Sequence, residues 1–241
     1  MSFLSRRALL RGAASLGLAA SGVIARRRLP VRAQVATPTM MTAVTGFRLV
    51  ARVLPEDWPT LATAMPAADE ELAGPDLLAA LRQGGFVLYF RHARTDFSQD
   101  DTDLSDLSNC ATQRNLSSEG RAQARLIGES IANLAIPIGE VLSSELCRTR
   151  ETAELAFGRA TLMPDLTSFG TAGSEAEEQE RVAALRRLLA TPPQPGTNTV
   201  LVGHLFNIQA AADISLAEGQ AAIFRRSASI EALATPLPAD S

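Results

Sequence analysis

The chain of 241 residues contains two histidines, and both stand where an apolar run stops. Phe86-Val87-Leu88-Tyr89-Phe90 runs into Arg91 and His92, and Thr199-Val200-Leu201-Val202-Gly203 runs into His204. A third short run, Val141-Leu142, passes through Ser143 and Ser144 and is followed by Arg148. Two imidazoles and two guanidiniums brought to one point describe a site for a dianionic tetrahedral group, because the planar fork of arginine matches phosphate oxygens bidentately. A neutral imidazole nitrogen can attack phosphorus in line to form a phosphohistidine, which water then hydrolyses. The arginines would stabilise the equatorial oxygens in the transition state.

The elements that must position these side chains follow from the pattern. Continuous apolar runs of five or six residues are expected of strands buried on both faces. In open α/β sheets the strands' carboxyl ends carry the ligand. Between the runs lie helical stretches. Gly74-Pro75 opens one with Leu77, Leu78 and Leu81 on a face, closed by Gly84-Gly85. Ser117 is expected to cap a second, with Leu126, Ile127, Ile131 and Leu134 on one stripe. Ser144 is expected to cap a third over 145–157, stopped by Gly158, and to add N–H donors to the anion site. Glu175 to Ala190 and Phe206 to Ala212 complete the set. Phe47 to Val53 reads as an edge strand, and 221–225 and 229–234 as closing strands. Strand and helix alternate, so the expected fold is α/β: a three-layer sandwich with a mostly parallel central sheet flanked by helices. The polar stretch from Asp96 to Asn115 lacks the glycine and terminal glutamate of a calcium loop, and reads as a solvated loop over the site.

Composition narrows the function classes. Every basic residue is arginine, which excludes Schiff-base lysine chemistry and a P-loop. Residues 1–33 hold seven of the 23 basic residues and no acid, leaving 16 arginines against 26 acids, a net charge of -10. So acidic a body is a poor partner for nucleic acid or an anionic membrane. The segment 1–33, with Arg6-Arg7 ahead of an apolar run of about 13 residues, resembles a twin-arginine export signal. An uncleaved anchor is the alternative. The expected organisation is therefore an export signal over 1–33, an N-terminal extension over 34–74, and one catalytic domain over 75–241. The mature protein is expected in the periplasm or outside the cell, with the twin-arginine machinery as its export partner.

The motifs together resemble the histidine phosphatase superfamily, whose fold is that of cofactor-dependent phosphoglycerate mutase. The family's Arg-His-Gly strand end stands here as Arg91-His92-Ala93. Its helix-opening Leu-Ser-x-x-Gly stands as Leu116-Ser117-Ser118-Glu119-Gly120. Its paired serines and Arg-Thr-x-x-Thr-Ala stand as Ser143-Ser144 and Arg148-Thr149-Arg150-Glu151-Thr152-Ala153. Its second histidine closes Val200-Leu201-Val202-Gly203-His204. The ordered match runs from about Leu77 to Arg225. The resemblance implies His92 as nucleophile, Arg91 and Arg148 as phosphate ligands, and His204 as the residue that orients the nucleophile and binds the phosphoryl group. It implies neither cofactor nor metal, and a small phosphorylated substrate. Arg94 is either a third phosphate contact or a surface residue. A phosphate-binding module without turnover, or a phosphomutase of the same fold, would use the same residues. A two-histidine metal site fits less well, since neither strand tip brings a carboxylate beside its histidine and the arginines would repel a cation.

Two further expectations follow. Export to an oxidising compartment would let Cys110 and Cys147, which flank the same site, form a disulfide; two buried free thiols are the alternative. Many relatives carry a glutamate general acid in a Leu-x-Glu pattern. If Leu166 matches that leucine, Ser168 stands in the glutamate's place, with Asp165 the nearest carboxylate and Asp96 and Glu218 more distant. A site without an acid should favour good leaving groups, aryl phosphates or phosphoramidates, over alkyl esters.

Overall fold

The computed structural model describes residues 51–54 and 74–226. The expected export segment, nearly all of the expected extension and the expected strand over 229–234 lie outside the described residues. Six strands form one sheet in the order β1-β6-β2-β5-β3-β4. They are β1 (Ala51–Leu54), β2 (Val87–Arg91), β3 (Ile138–Ser143), β4 (Thr161–Leu162), β5 (Asn198–Gly203) and β6 (Ala221–Arg226). β2, β5, β3 and β4 run parallel. β6 lies antiparallel to β2, and β1 parallel to β6 at the edge.

The helices are α1 (Gly74–Gln83), α2 (Ser118–Asn133), α3 (Cys147–Phe157), α4 (Glu175–Ala190) and α5 (Leu205–Ala212). They cover both faces of the sheet. On one face Leu77, Leu81, Ala153, Ile131 and Phe157 from α1, α2 and α3 pack on Leu88, Phe90, Val200 and Val202. On the other, Leu185 and Leu189 of α4 and Ile208 of α5 pack on Val87, Tyr89, Leu201 and Phe224. Successive residues of β2 therefore feed opposite cores, which is why the strand is apolar throughout rather than alternating. Each such side chain taken fully out of water contributes roughly 1.5–3 kcal/mol. The three-layer, mostly parallel α/β architecture is the one expected.

Two local expectations need correcting. Leu126 faces solvent, 58% exposed. The inward stripe of α2 is Ala124, Ile127, Ile131 and Leu134. And α3 starts at Cys147, not at 145, with no cap from Ser144 at its first turn. The buried Gln113 of the preceding loop supplies the acceptor instead, its Oε1 taking the Cys147 N–H at 2.9 Å. Ser117 does cap α2, accepting from Gly120 N.

Candidate active site

The carboxyl ends of β2, β5 and β3 place the four expected residues together. His92 and His204 are 3% and 4% exposed, with ring centroids 5.6 Å apart. The tips of β2 and β3 are held by the sheet: His92 N donates to Gly203 O at 3.1 Å, and Ser144 N to Val202 O at 3.0 Å. Tyr89, inside β2, accepts from His204 N and donates to His204 O, both at 2.8 Å. Without the phenol the amide would be an orphan where β5 ends; the carbonyl also accepts from Ile208 N, at 3.4 Å, as α5 begins. Gly203 makes room for the phenol, since a Cβ there would run into the Tyr89 hydroxyl. Thr152 of α3 ties the remaining tip, accepting from Ala93 N at 3.0 Å and donating to Arg148 O at 2.7 Å.

The tautomer of His92 is set by its neighbour. Nδ1 lies 2.9 Å from the carbonyl of Ala93, which can only accept, so Nδ1 carries the proton and Nε2 the lone pair. Burial lowers the His92 pKa to about 3, and the charges of Arg148, Arg91 and a third arginine, Arg114, oppose protonation further. Burial likewise holds His204 well below the ordinary imidazole value, with His92 and the same three arginines adding to it. His204 Nε2 shares a hydrogen bond of 2.9 Å with Ser144 Oγ. Both imidazoles are neutral near pH 7, and His92 is ready to act as a nucleophile.

The third arginine is the residue that sequence reasoning missed. Arg114 lies at the end of the polar loop, two residues before Leu116, which bridges to Thr95 just beyond the β2 tip. Its only sequence signal is its place ahead of the α2 cap. Burial lowers the pKa of both Arg91 and Arg148, and Arg114 lowers both further by charge repulsion. Arg91 Nε, Arg114 Nε and Arg148 Nε are all buried and have no protein partner. Three buried donors aimed among like charges is a costly arrangement unless an anion completes it. The other guanidinium groups are oriented by the protein. Arg91 Nη1 donates to Leu216 O at 2.9 Å, and Arg148 Nη1 to Asp101 Oδ1 at 3.0 Å. Arg94, by contrast, is exposed and sits in electrostatic reach of Glu119 at the start of α2.

The loop from Asp96 to Asn115 is built by its own acids. Asp96, Asp103 and Asp106 each accept the backbone N–H two residues on, from Ser98, Ser105 and Ser108, at 2.9 Å. Asp101 instead accepts from Arg114 N and from Arg148. Cys110 and Cys147 are joined in a disulfide that fastens this loop to α3.

The acid candidates sort differently from their order in the sequence. Asp165 is exposed and lines a cavity of about 360 Å³ with Glu145, Thr167 and Arg181, to which none of the four site side chains contributes. Asp96 is engaged by Ser98. Glu218, ranked as distant, is the carboxylate at the site: its Oε1 lies 4.0 Å from His92 Nδ1 and 3.8 Å from Arg91 Nη2. Neither strand tip brings a carboxylate beside its histidine, yet His92 has one nearby. The carboxylate comes from the turn ahead of β6, not from a strand tip.

Residues 87–168 match the family model of the histidine phosphatase superfamily (branch 1). That segment holds Arg91, His92, Arg114 and Arg148, and stops short of His204 and Glu218. The α/β sandwich around it is the phosphoglycerate mutase-like fold that the motifs implied. No curated protein matches the chain. Solved structures similar to it include TTHB049 from Thermus thermophilus, 24% identical over 60% of this chain and 97% of that one, TM-score 0.40. Another is the protein histidine phosphatase SixA complexed with tungstate, 18% identical over 56% of this chain and 83% of that one, TM-score 0.37. Likenesses of this size say nothing about substrate.

Proposed function

We propose that the chain is a histidine phosphatase that hydrolyses phosphate monoesters or phosphoramidates through a covalent phosphohistidine on His92. The observation that carries this reading is the trio of buried, unpartnered Nε donors of Arg91, Arg114 and Arg148 around a neutral His92 whose Nε2 lone pair is free. In the first step Nε2 attacks phosphorus in line, the bond to the leaving group breaks, and that group departs with the electron pair. The guanidiniums hold the equatorial oxygens as charge shifts onto them. In the second step water attacks and gives up a proton to solvent, the P–N bond breaks with its electron pair returning to Nε2, and phosphate leaves with His92 neutral again. No step calls for a metal, since three guanidiniums supply the positive charge.

The best substrates are those with good leaving groups. Asp165, the acid nearest the family's glutamate position, turns to another cavity, and Glu218 stands on the Nδ1 side of the nucleophile. Two exposed phenyl rings favour an aryl group. Phe97, 70% exposed, has its ring centroid 5.0 Å from the Arg114 Cζ, and Phe206, 66% exposed, follows two residues after His204. Export is part of the proposal, supported by the arginine-paired N-terminus and by the Cys110–Cys147 bond, which suits an oxidising compartment.

The test is turnover of an aryl phosphate by the purified protein, with radiolabelled substrate and quenching in alkali, which preserves phosphohistidine. Label should appear on the wild type and vanish in His92→Ala together with turnover. Turnover unchanged in His92→Ala would overturn the mechanism. Tight phosphate binding without turnover of any ester would make the chain a binding module.

A further inference from the structure

We propose that Glu218 is a positioning residue whose carboxylate balances the charge that develops on the His92 ring as the phosphohistidine forms. The inference rests on the reading of His92 as nucleophile. Because Nδ1 keeps its proton, attack through Nε2 turns a neutral imidazole into a phosphorylated imidazolium. The three guanidiniums that favour the phosphoryl oxygens oppose this second charge, and the ring is too buried for water to screen it. A negative group on the Nδ1 side, away from the incoming phosphorus, meets that need. Glu218 supplies it, and among the described residues it is the carboxylate within 4.0 Å of a histidine.

The placement of Glu218 is built, not incidental. Thr95 Oγ1 donates to its Oε1 at 2.7 Å, fixing the carboxylate beside the ring. Gly219 N donates to His92 O at 2.9 Å, so the backbone of the turn is stitched to the nucleophile's own residue. Gln123 Nε2 of α2 donates to Glu218 O at 3.1 Å. Gly219 takes φ +79° there, and a Cβ would run into the Gln123 amide. Thr95 thus fixes the carboxylate itself, while α2 and the β2 tip fix the backbone of the turn that carries it. The arrangement has the logic of a buried carboxylate that stabilises a catalytic imidazolium.

The experiment compares wild type, Glu218→Gln and Glu218→Asp on a series of aryl phosphates of different leaving-group pKa, and measures inorganic phosphate binding by calorimetry. Glu218→Gln keeps the shape and removes the charge. Its kcat should fall about 100-fold, by the same factor along the whole series. Label should accumulate on His92 correspondingly slowly, and phosphate binding should be equal or tighter, since a negative charge has left the pocket. Glu218→Asp should recover part of the rate. Thr95→Val, which frees the carboxylate without removing it, should show the same pattern with a smaller loss, and it carries the test if Glu218→Gln does not fold. Rates within twofold of wild type overturn the proposal. So does a loss confined to poor leaving groups, which would make Glu218 a proton donor. A loss of phosphate affinity matching the loss of kcat would make it a scaffold for Arg91 and overturn the proposal too. Absence of His92 label in the wild type would instead sink the phosphatase reading itself.

Discussion

The two halves of the site are held by different physics. His92, His204 and Arg91 sit on strand ends whose backbone bonds belong to the sheet, flanked by two dry cores. Arg114 and Asp101 sit on a loop without regular structure beyond one short turn, Cys110–Thr112, and that loop is held by side chains and one covalent bond. His92 is placed by the part of the fold that cannot move without unfolding. Much of the positive charge around it depends on a part that can. Catalysis and anion affinity should therefore be separable in this protein.

Acid attacks the strand ends first. The folded pKa of His92 is depressed from 6.5 to about 3, and that of His204 is depressed as well. The unfolded chain therefore takes up protons at a higher pH than the folded one. The stability these histidines contribute is complete above about pH 6.5 and is lost as pH falls below it, for His92 down to about pH 3. The slope approaches about 1.4 kcal/mol per pH unit for each histidine. Denaturant melts between pH 7 and 5 should show it, and a variant with both histidines replaced by glutamine should have a flatter profile. A wild-type profile already flat in that window would mean the rings are not dry.

Removal of the disulfide attacks the loop. Closing a loop of 37 residues contributes roughly 4 kcal/mol in the chain-entropy model, often less in practice. Cys110→Ser with Cys147→Ser, or reduction of the native protein, should lower the melting midpoint and weaken phosphate binding about tenfold. Single-turnover phosphorylation at saturating substrate should change much less. Equal losses in both would mean the loop and the tips act as one unit.

Smaller changes sharpen the same contrast. Arg114→Ala should weaken phosphate binding by several-fold to tenfold, roughly 1 kcal/mol, with little effect on stability, since its Nε makes no bond within the protein. Asp101→Asn should have the smallest effect, a few-fold in KM. It keeps an acceptor for Arg148 and Arg114 N and loses only the charge. An Asp101→Asn variant as impaired as Arg114→Ala would show that the ion pair, not the hydrogen bonds, orients Arg148.

What could be read from the chain follows the same division. His92, His204, Arg91 and Arg148 were legible because each ends an apolar run or opens the helix after one, and parallel strands deliver such ends to one edge. Arg114 was not, because its neighbours are polar and its contact with the site depends on how the loop folds back through Asp101 and Gln113. Glu218 was misjudged for a topological reason. β6 is antiparallel to β2, so it brings its beginning, not its end, to the site, and a rule about strand ends passes over it. The late start of α3 was hidden similarly: its acceptor, Gln113, is remote in the chain and near only in the fold.

Tyr89 and Gly203 have a consequence for how such a chain can drift. The phenol that satisfies both backbone groups of His204 occupies the space that any side chain at 203 would need. A lineage that keeps the tyrosine is confined to glycine at 203. One that first loses the hydroxyl strands the His204 amide in a dry interior, at a cost of about 1–3 kcal/mol, before the freed space is of any use. Neither single step is neutral, so the two positions, far apart in the chain, should change hands together or not at all. Descendants of this protein should fall into two discrete types at this pair, with few intermediates between them.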